Sequence, residues 1–230
     1  MKIRIAFLAV AATLSAASMG QYVVRGQFND WGNLGDLVMS ETFSGSGVYT
    51  ATATGLNAGE GYEFKCTTPD WSFNGPPSNA RTVADANGEI TFFFNPTTSY
   101  ADGWMPNNDK RVGWADSDMF DWELMGAVNG WNDPFATLTD MGSGLHQATG
   151  VYAAGTYEFK FRRQGDWGYS IGNDFGNAAS NPTFTSDGVT AVQFSLDLPN
   201  GRWSVNPVPE PTTLLSLGVG AAVLARRRRR

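Results

Sequence analysis

Two related stretches decide the fold: Gly-Tyr-Glu-Phe-Lys at residues 61–65 and Gly-Thr-Tyr-Glu-Phe-Lys at residues 155–160. In both, aromatic residues alternate with charged ones. This alternation is the period-two pattern of a β-strand that buries one face and exposes the other. The aromatic side chains of each stretch are therefore predicted to point into a core, and the glutamate and lysine to lie on the opposite face.

Markers on both sides of these strands also recur, in the same order and about 95–100 residues apart. Short solenoid repeats run at about 20–50 residues, so this longer spacing predicts duplication of a whole domain. The recurring pairs are Gly-Gln-Phe-Asn-Asp-Trp at 26–31 with Gly-Ala-Val-Asn-Gly-Trp at 126–131, Asp-Trp at 70–71 with Asp-Trp at 166–167, and Asp-Gly-Trp at 102–104 with Asn-Gly-Arg-Trp at 200–203.

The rest of the chain reads as all-β. Short alternating segments are separated by clusters of Gly, Asn, Asp and Pro, and no stretch of domain length has a period near 3.6. The clearest predicted strands are 21–28, 47–54, 61–66, 89–95, 100–104, 121–128, 144–149, 155–163, 188–198 and 202–205. Five to seven short strands in under 100 residues favour two tandem immunoglobulin-like β-sandwich domains.

The predicted boundaries follow from this duplication. The first module covers 21–104, a linker covers 105–118, and the second module covers 119–206. Trp104 and Trp203 are expected in the core as residues of late strands. The tryptophans at 114 and 122 have no partner in the repeat match and are expected to pack near the domain junction.

Residues 1–20 have the three parts of a secretory signal peptide. Lys2 and Arg4 are the positive residues, 5–14 are apolar, and 15–20 offer small residues for cleavage. A core helix would instead carry an amphipathic stripe. We therefore predict export.

The other end of the chain reads Val-Pro-Glu-Pro, then 14 residues without a charge, then five arginines. As a helix the apolar run is about 21 Å long, a marginal length for a bilayer core of about 30 Å, and the arginines favour a cytoplasmic C-terminus. This pattern at 208–230 resembles the PEP-CTERM sorting signal, and the predicted sorting tail covers 207–230. The resemblance implies recognition by an exosortase-type membrane protease, transient membrane contact and release to the cell surface or an exopolysaccharide matrix, with permanent anchoring as the alternative. The sorting motif is Val208, Pro209, Glu210 and Pro211.

Charge and cysteine content limit the function further. Residues 21–207 hold 9 of the 16 Lys and Arg and 21 of the 22 Asp and Glu, a formal charge of −12. Such an acidic body argues against a nucleic-acid partner. Cys66 is the one cysteine of the chain, so no intramolecular disulfide can form. Its place in the alternating strand predicts a small buried hydrophobe rather than a reactive thiol.

Aromatic and basic residues near the shared strand form the candidate binding site. A pyranose offers an apolar C–H face to an indole ring, and its hydroxyls accept hydrogen bonds from an ammonium group. The predicted glycan-binding residues are Trp31, Lys65 and Trp71 in the first module and Trp131, Lys160 and Trp167 in the second. The competing interpretation is that the tryptophans pack in the core and the lysines line a solvated strand face.

These motifs, Gly-x-Phe-Asn-x-Trp, Gly-x-Tyr-Glu-Phe-Lys and Asp-Trp, resemble those of starch- and glycogen-binding β-sandwich modules. Examples are isoamylase N-terminal domains, the glycogen-binding domain of the AMP-activated kinase β subunit, pullulanase modules and bacterial starch-binding surface lipoproteins. The resemblance implies that these six residues form two platforms for α-glucan or a related exopolysaccharide.

An enzyme is not expected, because the chain has no nucleophile elbow, zinc spacing or phosphate loop. His146, the one histidine, is predicted to be a surface strand residue, and the acidic residues at 116–121 do not follow an EF-hand pattern. No cofactor or metal is expected. Two other hypotheses remain: a structural cell-surface or matrix protein without a ligand, and a glycosidase.

Overall fold

The computed structural model describes residues 22–208, and these form an all-β structure, as predicted. Single 3-10 turns at Gln27–Gly32 and Ala127–Asn129 are the helical elements of this range. None of the helices in 22–208 is long and apolar enough to cross a membrane. The predicted signal peptide, the predicted C-terminal helix and the anchoring alternative lie outside the described residues.

Eight strands occupy the first half of the described chain and form two antiparallel sheets. The first sheet has the order β2-β1-β5-β6 and the second has the order β3-β4-β7-β8. The strands are β1 Val23–Gly26, β2 Leu37–Val38, β3 Ser40–Glu41, β4 Tyr49–Ala53, β5 Gly61–Thr67, β6 Asn74–Val83, β7 Ile90–Asn95 and β8 Arg111–Trp114.

Nine strands occupy the second half. The third sheet has the order β10-β9-β13-β14, with β15 also paired to β13, and the fourth has the order β11-β12-β16-β17. The strands are β9 Trp122–Gly126, β10 Ala136–Thr137, β11 Thr139–Asp140, β12 Leu145–Gly150, β13 Gly155–Arg163, β14 Asp166–Ile171, β15 Thr183–Ser186, β16 Ala191–Asp197 and β17 Arg202–Val208. The strand order of the first two sheets therefore recurs in the last two.

The shared Tyr-Glu-Phe-Lys strands are β5 and β13, and their inward aromatic residues build the core. Phe64 is fully buried, and its ring centroid lies 4.6 Å from that of Phe92 in the second sheet. Phe159 is also fully buried and lies 5.2 Å from Phe194 in the fourth sheet. Cys66 is fully buried beside them, which confirms the prediction for this residue. Burying one such aromatic side chain stabilises the fold by about 1.5–3 kcal/mol.

The region predicted as a linker, 105–118, is partly a strand. Arg111–Trp114 forms β8 and pairs with β7, whereas the predicted strand at 100–104 is absent from the described chain. Arg111 is buried and donates hydrogen bonds of 2.6 and 3.0 Å to Asp102, so the loop folds back onto the strand that follows it. The sequence did not predict β8 because this four-residue strand lies between two turn-like segments, Asn-Asn-Asp at 107–109 and Asp-Ser-Asp at 116–118.

The ten-residue strand β6, Asn74–Val83, was also missed. Its Asn-Gly-Pro-Pro start is typical of a turn. Because β6 is the edge strand of the first sheet, Pro76 and Pro77 cost no ladder hydrogen bond to a further strand.

The two halves share one continuous hydrophobic cluster that includes buried residues of all four sheets. Trp114 lies at the junction, as expected: its ring centroid is 5.3 Å from that of Phe175, and its backbone N–H donates to Leu198 O at 3.1 Å. Met105 and Trp203 form an antiparallel bridge between the halves. The domain boundaries remain a prediction, but the halves are packed together rather than joined by a free linker.

Candidate functional site

The four predicted platform tryptophans lie at the surface to different degrees. Trp71 and Trp167 are 42% and 45% exposed, and Trp31 and Trp131 are half-buried. In the second half the rings of Trp131 and Trp167 lie 6.0 Å apart between centroids, tilted by 44°. The indoles of Trp131 and Trp167 therefore form one aromatic surface. Trp31 and Trp131 are neither buried in the core nor fully exposed to solvent.

Three of the four tryptophans have a left-handed backbone. The φ angle is 54° at Trp31, 60° at Trp71 and 64° at Trp131. This conformation costs a residue with a Cβ about 1–2 kcal/mol, and for a bulky side chain it is rare. The turns that impose it are hydrogen-bonded: Trp71 N–H donates to Thr68 O at 3.0 Å, and Trp131 N–H to Gly126 O at 2.9 Å.

Polar side chains next to the tryptophans hold these turns in shape. Asn29 is buried and bridges three backbone groups around the Trp31 turn, accepting from one N–H and donating to two carbonyls at 2.9–3.1 Å. Asp70 accepts from the backbone and hydroxyl of Ser72. Hydrogen bonds from Thr68 and Ser72 lower the pKa of Asp70 to about 2. The Asn and Asp of the recurring motifs therefore shape the loops that present the indoles.

The ammonium group of Lys65 donates all of its hydrogen bonds to other groups of the protein. Its Nζ donates to Asn74 Oδ1 at 3.0 Å and to the carbonyls of Pro76 and Pro77 at 2.8 and 2.6 Å. An ammonium group has three N–H bonds, and all three have partners here. Lys65 thus ties β5 to the proline start of β6.

Lys160 is half-buried on the outward face of β13, and its Nζ makes no hydrogen bond to the described residues. Burial lowers the pKa of Lys65 and of Lys160, and the carboxylate of Asp174 opposes this shift in both. Asp174 lies at the junction, where it accepts hydrogen bonds of about 3.0 Å from the backbone and hydroxyl of Ser78. The charge of one carboxylate at the junction therefore acts on both lysines, which were predicted for separate sites, although neither forms an ion pair with it within residues 22–208.

Two arginines that the sequence reasoning did not select lie beneath the exposed indoles. The guanidinium carbon of Arg25 is 4.8 Å from the ring centroid of Trp71, and that of Arg162 is 4.7 Å from the ring centroid of Trp167. Both distances are within the range of a cation–π contact. Arg162 lies two residues after Lys160 on the same face of β13, and it is only 8% exposed, with Trp167 against its guanidinium.

His146 is not a surface residue, contrary to the prediction. It is 4% exposed, and its Nε2 lies 2.6 Å from Asp116 Oδ2. Asp116 follows β8 and covers the histidine, a contact that strand periodicity cannot predict. The pair lines a cavity of about 630 Å³ together with Asp118, Asp121, Asp140, Arg163 and their neighbours. None of the platform tryptophans lines this cavity, and no group of three His, Cys, Asp or Glu within 22–208 is arranged to hold a metal ion.

Trp104 and Trp203, predicted as equivalent core residues, differ. Trp203 is 5% exposed in β17, which confirms its prediction. Trp104 is half-buried in a loop, beneath the guanidinium of Arg202 at 4.4 Å. The loop at 96–110 is held by Arg111 and Asp102 rather than by strand pairing, so Trp104 stays outside the sheets.

Comparison with known proteins found a family model that matches one segment of the chain. Residues 207–230 match the model of the PEP-CTERM protein-sorting motif. This segment is a PEP-CTERM sorting motif. The PEP-CTERM motif implies export, surface association and interaction with an exosortase during sorting, so the predicted tail is confirmed. Its first residues lie in β17, which extends to Val208.

A solved structure, that of SusF from Bacteroides thetaiotaomicron, is similar to this chain at 18% sequence identity and a TM-score of 0.35. The match covers 84% of this chain and 49% of SusF, so the chain spans about half the length of that protein. No curated protein matches the chain.

Proposed function

We propose that this exported protein is a non-catalytic carbohydrate-binding protein of the cell surface or extracellular matrix. Each half is an immunoglobulin-like β-sandwich module, produced by duplication, and each presents one tryptophan platform to an α-glucan or an exopolysaccharide. The C-terminal tail contacts the membrane transiently while an exosortase processes it.

The strained backbone of the platform tryptophans carries this proposal. Seven non-glycine residues of the described chain have positive φ, and three of them are Trp31, Trp71 and Trp131. Glycine would fill such positions without the steric cost. Strained residues of this kind cluster at functional sites, where the surrounding structure holds them in place. Tryptophan occupies three positions with a positive φ despite this cost. The best explanation is that function requires an indole ring at the surface there.

The chemistry of the two surfaces fits a neutral sugar. An exposed indole offers a flat apolar face to the C–H face of a pyranose, and the neighbouring Trp131 ring widens that face in the second half. Lys160 has donors left for a hydroxyl group. A polyanionic glycan is disfavoured because the body of the protein carries a formal charge of −12.

A structural surface or matrix protein without a ligand is the second candidate. The observation that favours it is Lys65, whose three N–H groups are all satisfied by Asn74, Pro76 and Pro77. In this case the first half keeps the architecture of a binding module but lacks its ammonium donor.

Affinity electrophoresis in gels containing amylopectin or glycogen tests the proposal. The wild type is expected to be retarded, and Trp71→Ala and Trp167→Ala are expected to reduce the retardation, as are Trp31→Ala and Trp131→Ala. Trp104→Ala is the matched control, because this half-buried tryptophan lies outside both platforms. An unretarded wild type, or equal retardation of all variants, would contradict glycan binding at these surfaces.

A further inference from the structure

Each half of the protein places a buried arginine under an exposed tryptophan. Arg25 and Arg162 are both 8% exposed, whereas Trp71 and Trp167 above them are 42% and 45% exposed. One face of each indole is therefore occupied by a guanidinium group, and the ring remains open to solvent elsewhere.

A carboxylate fixes each guanidinium. Arg25 donates from Nε and Nη2 to the two carboxylate oxygens of Asp36 at 2.6 and 2.8 Å, and from Nη2 to Pro69 O at 2.9 Å. Arg162 donates from Nε to Glu123 Oε1 at 2.6 Å, and its Nη2 also contacts this oxygen. Such charge-assisted bonds are strong and directional. The support under each ring is thus rigid and electrically neutralised.

The remaining nitrogen of each guanidinium is unused. Nη1 of Arg25 and Nη1 of Arg162 make no hydrogen bond to residues 22–208. Neither atom is among the buried side-chain nitrogen and oxygen atoms of this range that lack a hydrogen-bond partner. Each therefore reaches solvent with two N–H donors still available. In the first half these donors are free while those of Lys65 are occupied.

The two arginines come from positions that do not correspond. Arg25 corresponds to Met125, because each lies opposite the lysine of the shared Tyr-Glu-Phe-Lys stretch in the sheet register. By the same register Arg162, two residues after that lysine, corresponds to Thr67. Inheritance from a common repeat would place the arginines at matching positions. Instead, each half forms the same arrangement of tryptophan, arginine and carboxylate with an arginine from a different strand position. This indicates that the arrangement has a function.

We infer that Arg25 and Arg162 are ligand-binding residues of the two platforms. This inference rests on the proposed carbohydrate binding and deepens it. The open face of the indole stacks on a pyranose. The two N–H groups of Nη1 lie on the covered side of the ring, and they donate to hydroxyls of the next sugar of the chain where it passes the edge of the indole. Because Asp36 and Glu123 already neutralise the guanidinium groups, an anionic ligand gains little, and the ligand class is a neutral oligosaccharide with hydroxyl groups on neighbouring carbons.

The test compares arginine variants of the full chain for binding to maltoheptaose by calorimetry and to amylopectin by affinity electrophoresis. Arg25→Met and Arg162→Met are each expected to weaken the affinity of their own platform about tenfold, the effect of losing hydrogen bonds from a charged donor. Arg25→Lys and Arg162→Lys are expected to recover part of the loss, since a lysine keeps a donor. Arg202→Met is the matched control, because Arg202 also stacks on a tryptophan and pairs with a carboxylate, but outside both platforms.

Two readouts separate a binding role from a purely structural one. Melting temperatures identify any variant that is merely unstable, and binding is measured well below them. A maltooligosaccharide with methylated hydroxyls is expected to bind wild type and Met variants equally, because it offers the arginine fewer partners. The inference is overturned if the Met variants bind maltoheptaose as well as wild type does while Trp71→Ala and Trp167→Ala do not. If the wild type binds neither probe, the proposed function itself is refuted and this inference with it.

Discussion

The indole of Trp114 packs edge-on against the ring of Phe64, with the centroids 5.6 Å apart and the planes at 89°. The same contact recurs in the second half, where Trp203 meets Phe159 at 5.7 Å and 88°. Trp114, and not Trp104, therefore makes in the first half the core contact that Trp203 makes in the second. The two tryptophans reach this contact from different register positions, since Trp114 lies opposite Phe92 and Trp203 lies opposite Leu196.

This relationship predicts very different costs for two tryptophan substitutions. Trp114→Ala removes a side chain that is 1% exposed and is expected to destabilise the protein by about 3–5 kcal/mol. Trp104→Ala is the control and is expected to cost less than about 2 kcal/mol, because that ring is half-buried in a loop. Urea unfolding followed by circular dichroism measures both. Equal costs would contradict the assignment of Trp114 to the core.

The left-handed turn at Trp71 predicts that glycine is preferred to alanine there. Trp71→Gly removes the Cβ strain that Trp71→Ala keeps, so it is expected to be the more stable variant by up to about 1 kcal/mol. At Ser72, which has an ordinary φ, the order is expected to reverse. Thermal unfolding of the four variants tests this, and a less stable Trp71→Gly would argue against backbone strain.

The shared core predicts that the two halves unfold together. Fluorescence and circular dichroism are expected to give one coincident urea transition, because the hydrophobic cluster spans all four sheets. Asp174→Ala removes the acceptor for Ser78 at the junction and is expected to lower the stability by about 1–3 kcal/mol. Asp187→Ala, which alters only bonds within its own turn, is the control and is expected to have a smaller effect. Two separate transitions in the wild type would contradict a common core.

The ion pair of Asp36 with Arg25 predicts an acid-sensitive contribution to stability. The hydrogen bond from Arg25 lowers the pKa of Asp36 below its ordinary value of 3.8. The ionised carboxylate therefore stabilises the folded state at pH values above 3.8, and this contribution is lost as the pH falls through the lowered pKa. The melting temperature of wild type is expected to exceed that of Asp36→Asn at neutral pH and to approach it in acid. A difference that stays constant with pH would show that the charge is unimportant.

Burial raises the pKa of the Cys66 thiol, which predicts that it is unreactive in the native protein. A thiol reagent at neutral pH is expected to label no cysteine in buffer and one per chain in denaturant. Ser44→Cys in a Cys66→Ala background supplies an exposed control that should react at once. Rapid labelling of native wild type would place Cys66 at the surface instead.

Sequence reasoning predicted most of the strands with a clear alternating pattern, such as β5 and β13, and the burial of Cys66. It missed β6, which begins with prolines, and β8, which is buried at every position. Both lie among turn-type residues, which a reading based on alternation assigns to loops. Full burial alone is not the reason, because β1 and β9 are also buried at every position and were predicted. The tryptophans selected from the sequence include two that are exposed, Trp71 in a turn and Trp167 in β14, but the arginines beneath them were not selected.

The amino-acid sequence alone determined the all-β class, the buried faces of the shared strands and the PEP-CTERM motif. Each of these depends only on residues that are close together in the sequence, as an alternation or as a continuous run. The tertiary structure alone decided that Lys65 is tied to Pro76 and Pro77, that His146 is covered by Asp116, and that Arg25 and Arg162 lie under indole rings. Those contacts join residues far apart in the chain. They depend on how sheets and loops pack, which periodicity does not encode.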